Sequence, residues 1–288
     1  MPEISQEQFS AVLDLLDELP GRIGPLSEAF HGVGSPGSRA AEELASTSYI
    51  AEPYSLSLQT IIFAGDHAFA LRRVLTNPVM TFAPWTLTRG IVEACSQTLW
   101  LLDPALSAQL RVARGLNARL SSIDDSERFL RGSNEPQATE ELARLKNRRE
   151  HLTAVAAGEG ISVHRKKGRI VGFGETVPTI SQIVRAAGYG KEYSLLSGVA
   201  HQRSWATTSM GFAVVDDEVD HGLGTKRLEQ QISPLQVMHL TTVSLQAIIE
   251  AMYRFVVFAG WEPRLFAADI DTILDRTILH QRLRPWRR

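Results

Sequence analysis

Cysteine is nearly absent: Cys95 is the single one in 288 residues. That excludes an intramolecular disulfide framework and any cysteine-rich zinc or iron–sulfur centre. Lysine is scarce too, with 5 lysines against 25 arginines. Neither sign of charge dominates. The net charge is −2, so no global basic field recruits nucleic acid and no strong acidity argues for disorder. No run of about 18 apolar residues, the length a membrane span needs, is free of charges and amides. The nearest, 235–258, is interrupted by His239, Gln246, Glu250 and Arg254. It reads as a buried amphipathic helix, and no membrane contact is expected. The opening Met1-Pro-Glu-Ile-Ser has no basic or apolar leader region, so a cytoplasmic location is expected.

Signatures of common chemistries are also missing. There is no Gly-x-x-x-x-Gly-Lys-[Ser/Thr], no Gly-x-Gly-x-x-Gly after a strand and no Gly-x-Ser-x-Gly, so the familiar nucleotide and hydrolase folds are unsupported. The eight histidines form neither His-x-x-x-His nor His-Glu-x-x-His. No metal and no cofactor are expected.

What remains is ordinary for a soluble globular protein, with 44% hydrophobic and 22% charged residues. Helical spacing covers Phe9 to Leu19 and ends at Pro20-Gly21. Residues 20–52 are rich in Gly, Pro and Ser, with a short helix near Arg39 to Ala45. Long helices are predicted over 54–75, 84–102, 103–130 and 138–157, the third opened by Asp103-Pro104. Ile161 to Phe173 reads as a hairpin around Arg165-Lys-Lys-Gly168, and 211–224 as a second small ribbon. Helices follow over 178–187, 193–207, 234–259 and 263–283. The expected fold is an all-α helical bundle with one or two small β-hairpin insertions. Residues 1–52 form an N-terminal helix and flexible connector, and 53–288 a single helical domain.

The segment richest in chemistry is Tyr193-Ser-Leu-Leu-Ser197-Gly-Val-Ala-His201. Four-residue spacing puts Tyr193, Ser197 and His201 on one helix face among apolar neighbours. Buried polar groups need partners, and Arg89 and Glu93, also four apart on an apolar helix, are the candidates. His201 is the candidate acid or base, having the side-chain pKa nearest neutrality. Ser197 is a hydrogen-bond donor or nucleophile, and Tyr193 and Glu93 complete the catalytic set. Arg89 would hold an anion or Glu93. The same five residues also suit a structural network that fixes helix register. Arg111 and Arg114 form a solvated face or an anion site, and Trp100 lies near them as a binding residue. The arginines at 144, 148 and 149 read as an exposed face.

Two segments carry a resemblance. One is Arg89-Gly-Ile-Val-Glu93 with Leu99-Trp-Leu-Leu-Asp-Pro104, Arg111 and Arg114. The other is Tyr193 to Trp205. Together, over about residues 54–210, they resemble a group of bacterial, often actinobacterial, helical proteins without a defined activity. In these an Arg-x-x-x-Glu helix precedes Tyr-x-x-x-Ser-x-x-x-His. That group is distantly similar to HEPN-type domains, some of which are metal-independent ribonucleases of toxin and phage-defence systems. The resemblance implies action on RNA or a nucleotide. HEPN ribonucleases use an Arg-x₄₋₆-His motif; its formal match here is Arg144 to His151, and no arginine stands at that spacing before His201. The alternatives are a non-catalytic module binding a small ligand or a partner protein, and a small-molecule enzyme of a biosynthetic pathway. The apolar residues of 235–258 spread around more than one helix face, so a homodimer is expected.

Overall fold

Short polar side chains open four of the helices. In the computed structural model, which describes residues 10, 12–18, 21, 23, 24, 34–76, 79–132, 137–214 and 228–262, Ser38 accepts from the Ala41 N–H (3.1 Å) and starts α1, Arg39–Ser46. A 3₁₀ turn, Ser48–Ile50, leads into α2, Ala51–Val74. α3, Ala83–Leu101, carries Pro84 in its first turn, where the missing N–H costs nothing. Ser107 caps α4, Ala108–Arg131, and α5 is Ala138–Gly158. Thr179 with Gln182 and Ser233 with Gln236 form capping boxes that start α6, Ile180–Ala186, and the last described helix, Pro234–Ala259. α7, Gly190–Ala200, and α8, Ser204–Gly211, lie between, so the last helix is α9.

α2 and α3 run antiparallel, with Thr60 bonded to Thr98 and Gly90 against His67. A Cβ on Gly90 would stand 2.8 Å from the His67 ring, so only glycine permits this approach. α9 lies along α3 in parallel, joined by Ser244–Thr88 and Arg254–Leu102 bonds. α4 and α5 form a hairpin beside them, and α6 and α7 rest on α3. One described helix, α9, is long and apolar enough to cross a membrane, and 72% of its most apolar window is buried in the protein. The apolar circumference from which a homodimer is expected is thus largely covered within the chain. Exposed apolar side chains stand on α2, at Ile62, Phe63 and Phe69, and on α9 at Leu235, Tyr253 and Val257.

The hairpin forms where expected. β1, Val163–Lys166, pairs antiparallel with β2, Arg169–Phe173. Lys167 (φ 51°) and Gly168 (φ 77°) make its two-residue turn, both positive as a tight hairpin of this hand requires. The second ribbon starts as expected, but β3, Phe212–Val214, pairs with β4, Leu228–Gln230, beyond the anticipated range. Residues 215–227 and the expected helix 263–283 lie outside the described residues, as does part of the expected N-terminal helix. Its residues 12–18 are helical, with Val12 and Leu16 fully buried.

Two expectations are corrected. The third long helix does not begin at Asp103-Pro104. The Asp103 carboxylate instead accepts from the Ala105 N–H (2.9 Å) in a turn, and the helix waits for the Ser107 cap. The helix over 193–207 is broken after Ala200. Gln202 takes a left-handed backbone (φ 54°), with Gln202 N–H bonded to Val199 O and Arg203 N–H to Gly198 O. This is a Schellman stop with glutamine where glycine is usual, so its sequence signal is hidden. The short helix expected near Arg39 to Ala45 forms as α1, and its Glu43 reaches the core.

Candidate functional site

The α3 and α7 side chains grouped by spacing do meet. Arg89 donates from Nε to Glu93 Oε1 (2.9 Å), one turn along α3. Tyr193 OH donates to the same oxygen (2.7 Å), and Arg89 Nη2 reaches Tyr193 OH at 3.4 Å. Arg89 Nη1 lies 3.2 Å from His201 Nε2. Arginine has no acceptor, so in this contact Nε2 is the acceptor. His201 sits at the end of α7 and is exposed, while Tyr193 is buried. Burial, then the hydrogen bond to Glu93, pushes the Tyr193 phenol up. Burial alone would lower the Arg89 guanidinium, but Tyr193 and Glu93 outweigh it. Ser197 lies on the same face between Tyr193 and His201, yet no hydrogen bond of its side chain joins it to these groups among the described residues. Four of the five residues are therefore one network. It clasps α7 to α3 at the surface, with most of its donors already used.

This geometry sets an expectation. His201→Ala should change stability by no more than about 0.5 kcal/mol, as exposed substitutions do. Tyr193→Phe removes a donor from Glu93 and should cost about 1 kcal/mol. Urea unfolding of both variants checks this; a larger loss at His201 than at Tyr193 would contradict the exposed geometry.

Arg111 and Arg114 form neither a solvated face nor an open anion site. Arg111 is wholly buried. Its Nε donates to Glu43 Oε2 (2.9 Å), and Nη1 donates to the Leu101 and Asp103 carbonyls (2.8 and 3.1 Å). Tyr54 OH donates to Glu43 Oε2 (2.7 Å) and Arg39 Nε to Oε1 (2.8 Å). The guanidinium also lies 4.4 Å from the Phe258 ring centroid. Arg114 donates to Trp100 O (2.6 Å) and Glu175 Oε1 (3.0 Å) and stacks 5.1 Å from the Trp100 ring. Arg254 Nη1 reaches Leu102 O (3.3 Å). Three arginines therefore cap consecutive carbonyls, 100 to 102, at the C-terminus of α3. These groups have no partner within the helix, and the helix dipole favours cations there.

Beside this cap opens a cleft of about 710 Å³ between α3, α6 and α9. Leu99, Trp100, Ile183, Ile249 and Tyr253 supply its apolar walls, and Asp103, Arg114, Glu250 and Arg254 its charges. Ser96 lies against it, fully buried, its hydroxyl without a hydrogen-bond partner among the described residues. Glu250 accepts from Tyr189 OH (2.8 Å) and Gln246 Nε2 (3.0 Å). Burial and then the Glu250 charge push up both the Tyr189 phenol and the Cys95 thiol, which leaves Cys95 an inert core residue.

Arg114 and Trp100, singled out from the sequence, thus border the cleft, while Arg89 and His201 belong to the separate α3–α7 network. Sequence reasoning gave no role to Glu43 or to the Glu250–Arg254 pair. The last had a signal, since two opposite charges four residues apart interrupt an otherwise apolar helix. Arg144 donates to Glu140 and Glu141 on an exposed face, and Arg149 pairs with Asp124 and Glu127. Compared with known proteins, the chain matches no family model, no curated protein and no solved structure.

Proposed function

We propose that this protein is a helical module that binds a small organic ligand in the cleft between α3, α6 and α9. One observation carries the reading: a cleft of about 710 Å³, within the size range of small-molecule sites, combines apolar walls with a few convergent polar groups. The Ser96 hydroxyl beside it, buried and without a hydrogen-bond partner among the described residues, supports the same reading, because it leaves a polar group at the cleft for a ligand to satisfy. Action on RNA or a nucleotide is the weaker reading. The Arg144 of the Arg-to-His spacing is held by two glutamates, and Arg89 by Glu93. Neither offers an unpaired fork to a phosphate.

The test is to fill the cleft. Ala187 lines it, partly buried, at the end of α6. Ala187→Phe should abolish ligand-induced stabilisation while leaving the melting temperature of the ligand-free protein nearly unchanged. A ligand at a hundredfold excess over its Kd stabilises by about 2.7 kcal/mol, enough to read in a thermal-shift screen of small organic ions. A ligand that stabilises wild type and Ala187→Phe equally would place its site elsewhere and overturn the proposal.

A further inference from the structure

The charges lining the cleft sum to zero, but they do not all meet. Arg114 and Asp103 stand 3.8 Å apart and offset one another, and Glu175 further holds Arg114. Glu250 and Arg254 remain. They are four residues apart on α9, glutamate first, which is the spacing and order at which opposite charges ordinarily pair on a helix. Here they do not. Tyr189 and Gln246, both neutral donors, hold the Glu250 carboxylate. The Leu102 carbonyl at the C-terminus of α3 holds one arm of the Arg254 guanidinium, and the rest of that fork is unbonded among the described residues. The protein thus keeps a carboxylate and a guanidinium unpaired on one wall of the cleft, on residues whose backbones lie about 6 Å apart along the helix axis. Trp100 lines the same cleft.

Separated, unmatched charges of opposite sign suit a ligand that carries both. A simple anion would meet Arg254 but lie beside Glu250; a simple cation would meet Glu250 but lie beside Arg254. We propose that the cleft takes a small dipolar ligand, its ammonium directed at Glu250, its carboxylate at Arg254, and its body against Trp100. This inference rests on the cleft being the ligand site.

A matched set of probes tests it: para-aminomethylbenzoate, para-toluate, which lacks the ammonium, and para-methylbenzylamine, which lacks the carboxylate. Calorimetry on the full chain should show the dipolar probe binding at least about tenfold tighter than either other probe, the factor that 1.4 kcal/mol confers. Arg254→Gln should bring the dipolar probe down to the level of the amine, and Glu250→Gln, which keeps the shape and one acceptor, down to the level of the acid. Circular dichroism of each variant, expected to match wild type, shows that the loss is not misfolding. If the acid or the amine alone binds as tightly as the dipolar probe, the dipolar inference is overturned and the cleft reading stands. If no probe binds, the dipolar inference is also overturned. The cleft reading falls with it only if the thermal-shift screen finds no ligand that Ala187→Phe loses.

Discussion

Arg111→Ala is expected to destabilise the protein by about 3–5 kcal/mol, the cost of breaking a buried ion pair by removing one partner. Arg111 is wholly buried, and its fork satisfies Glu43 and the carbonyls of Leu101 and Asp103. Alanine would leave Glu43 with Arg39 and Tyr54 alone, and the two carbonyls stripped of their donor. Urea denaturation measures the loss; a cost below about 1 kcal/mol, typical of a solvated pair, would contradict the buried geometry. Replacing both partners by apolar residues should cost less than the single change, because no charge is then stranded. The pair also has a pH signature. Burial alone would push the Glu43 carboxyl up, but hydrogen bonds from Tyr54, Arg39 and Arg111, with the Arg111 charge, hold it below its ordinary value. A carboxyl depressed in the folded state contributes stability above its unfolded pKa and loses it as pH falls through the folded one. The stability difference between wild type and Glu43→Gln should therefore be full at neutral pH and shrink only on acidification below the ordinary carboxylate range.

Asn117→Ala should cause the next largest loss. Asn117 is wholly buried on α4, and its amide behaves like a short strand partner. Oδ1 accepts from the Phe173 N–H (2.8 Å) and Nδ2 donates to the Phe173 carbonyl (3.0 Å). Phe173 ends β2 and is fully buried, so alanine leaves its N–H unpaired in the interior, at about 1–3 kcal/mol, and its carbonyl with the Glu175 N–H alone (2.6 Å). Loss of exchange protection at the Phe173 amide, together with the urea midpoint, checks this. Unchanged protection would show that another group holds the hairpin. The change also reaches the cleft, because the segment after β2 carries Glu175, which orients Arg114 at its edge.

Helix caps are local, and so most of the secondary structure was legible. Ser107, Thr179 and Ser233 each bond within three residues of themselves. The failures were local signals overruled by context. Asp103-Pro104 has the form of a helix start, but three arginines gather at the α3 terminus just before it and a turn forms instead. The stop after Ala200 uses glutamine in a conformation that favours glycine. The Arg89–Glu93–Tyr193–His201 network was readable because each half repeats at a four-residue interval on its own helix.

By itself, then, the sequence determined the all-α class, the 161–173 hairpin and which polar side chains share one face of α3 and one face of α7, since periodicity and capping act over a few residues. Tertiary structure alone decided that Arg111 is interior, that Glu43 from a Gly- and Ser-rich stretch is its partner, and that Glu250 and Arg254 stand apart over a cleft. Those outcomes depend on which carbonyls, phenols and carboxylates distant segments bring within hydrogen-bond reach, 68 residues apart for Arg111 and Glu43 and 152 for Arg254 and Leu102. Residue spacing along the chain carries no information about such a distance; only the packed helices set it.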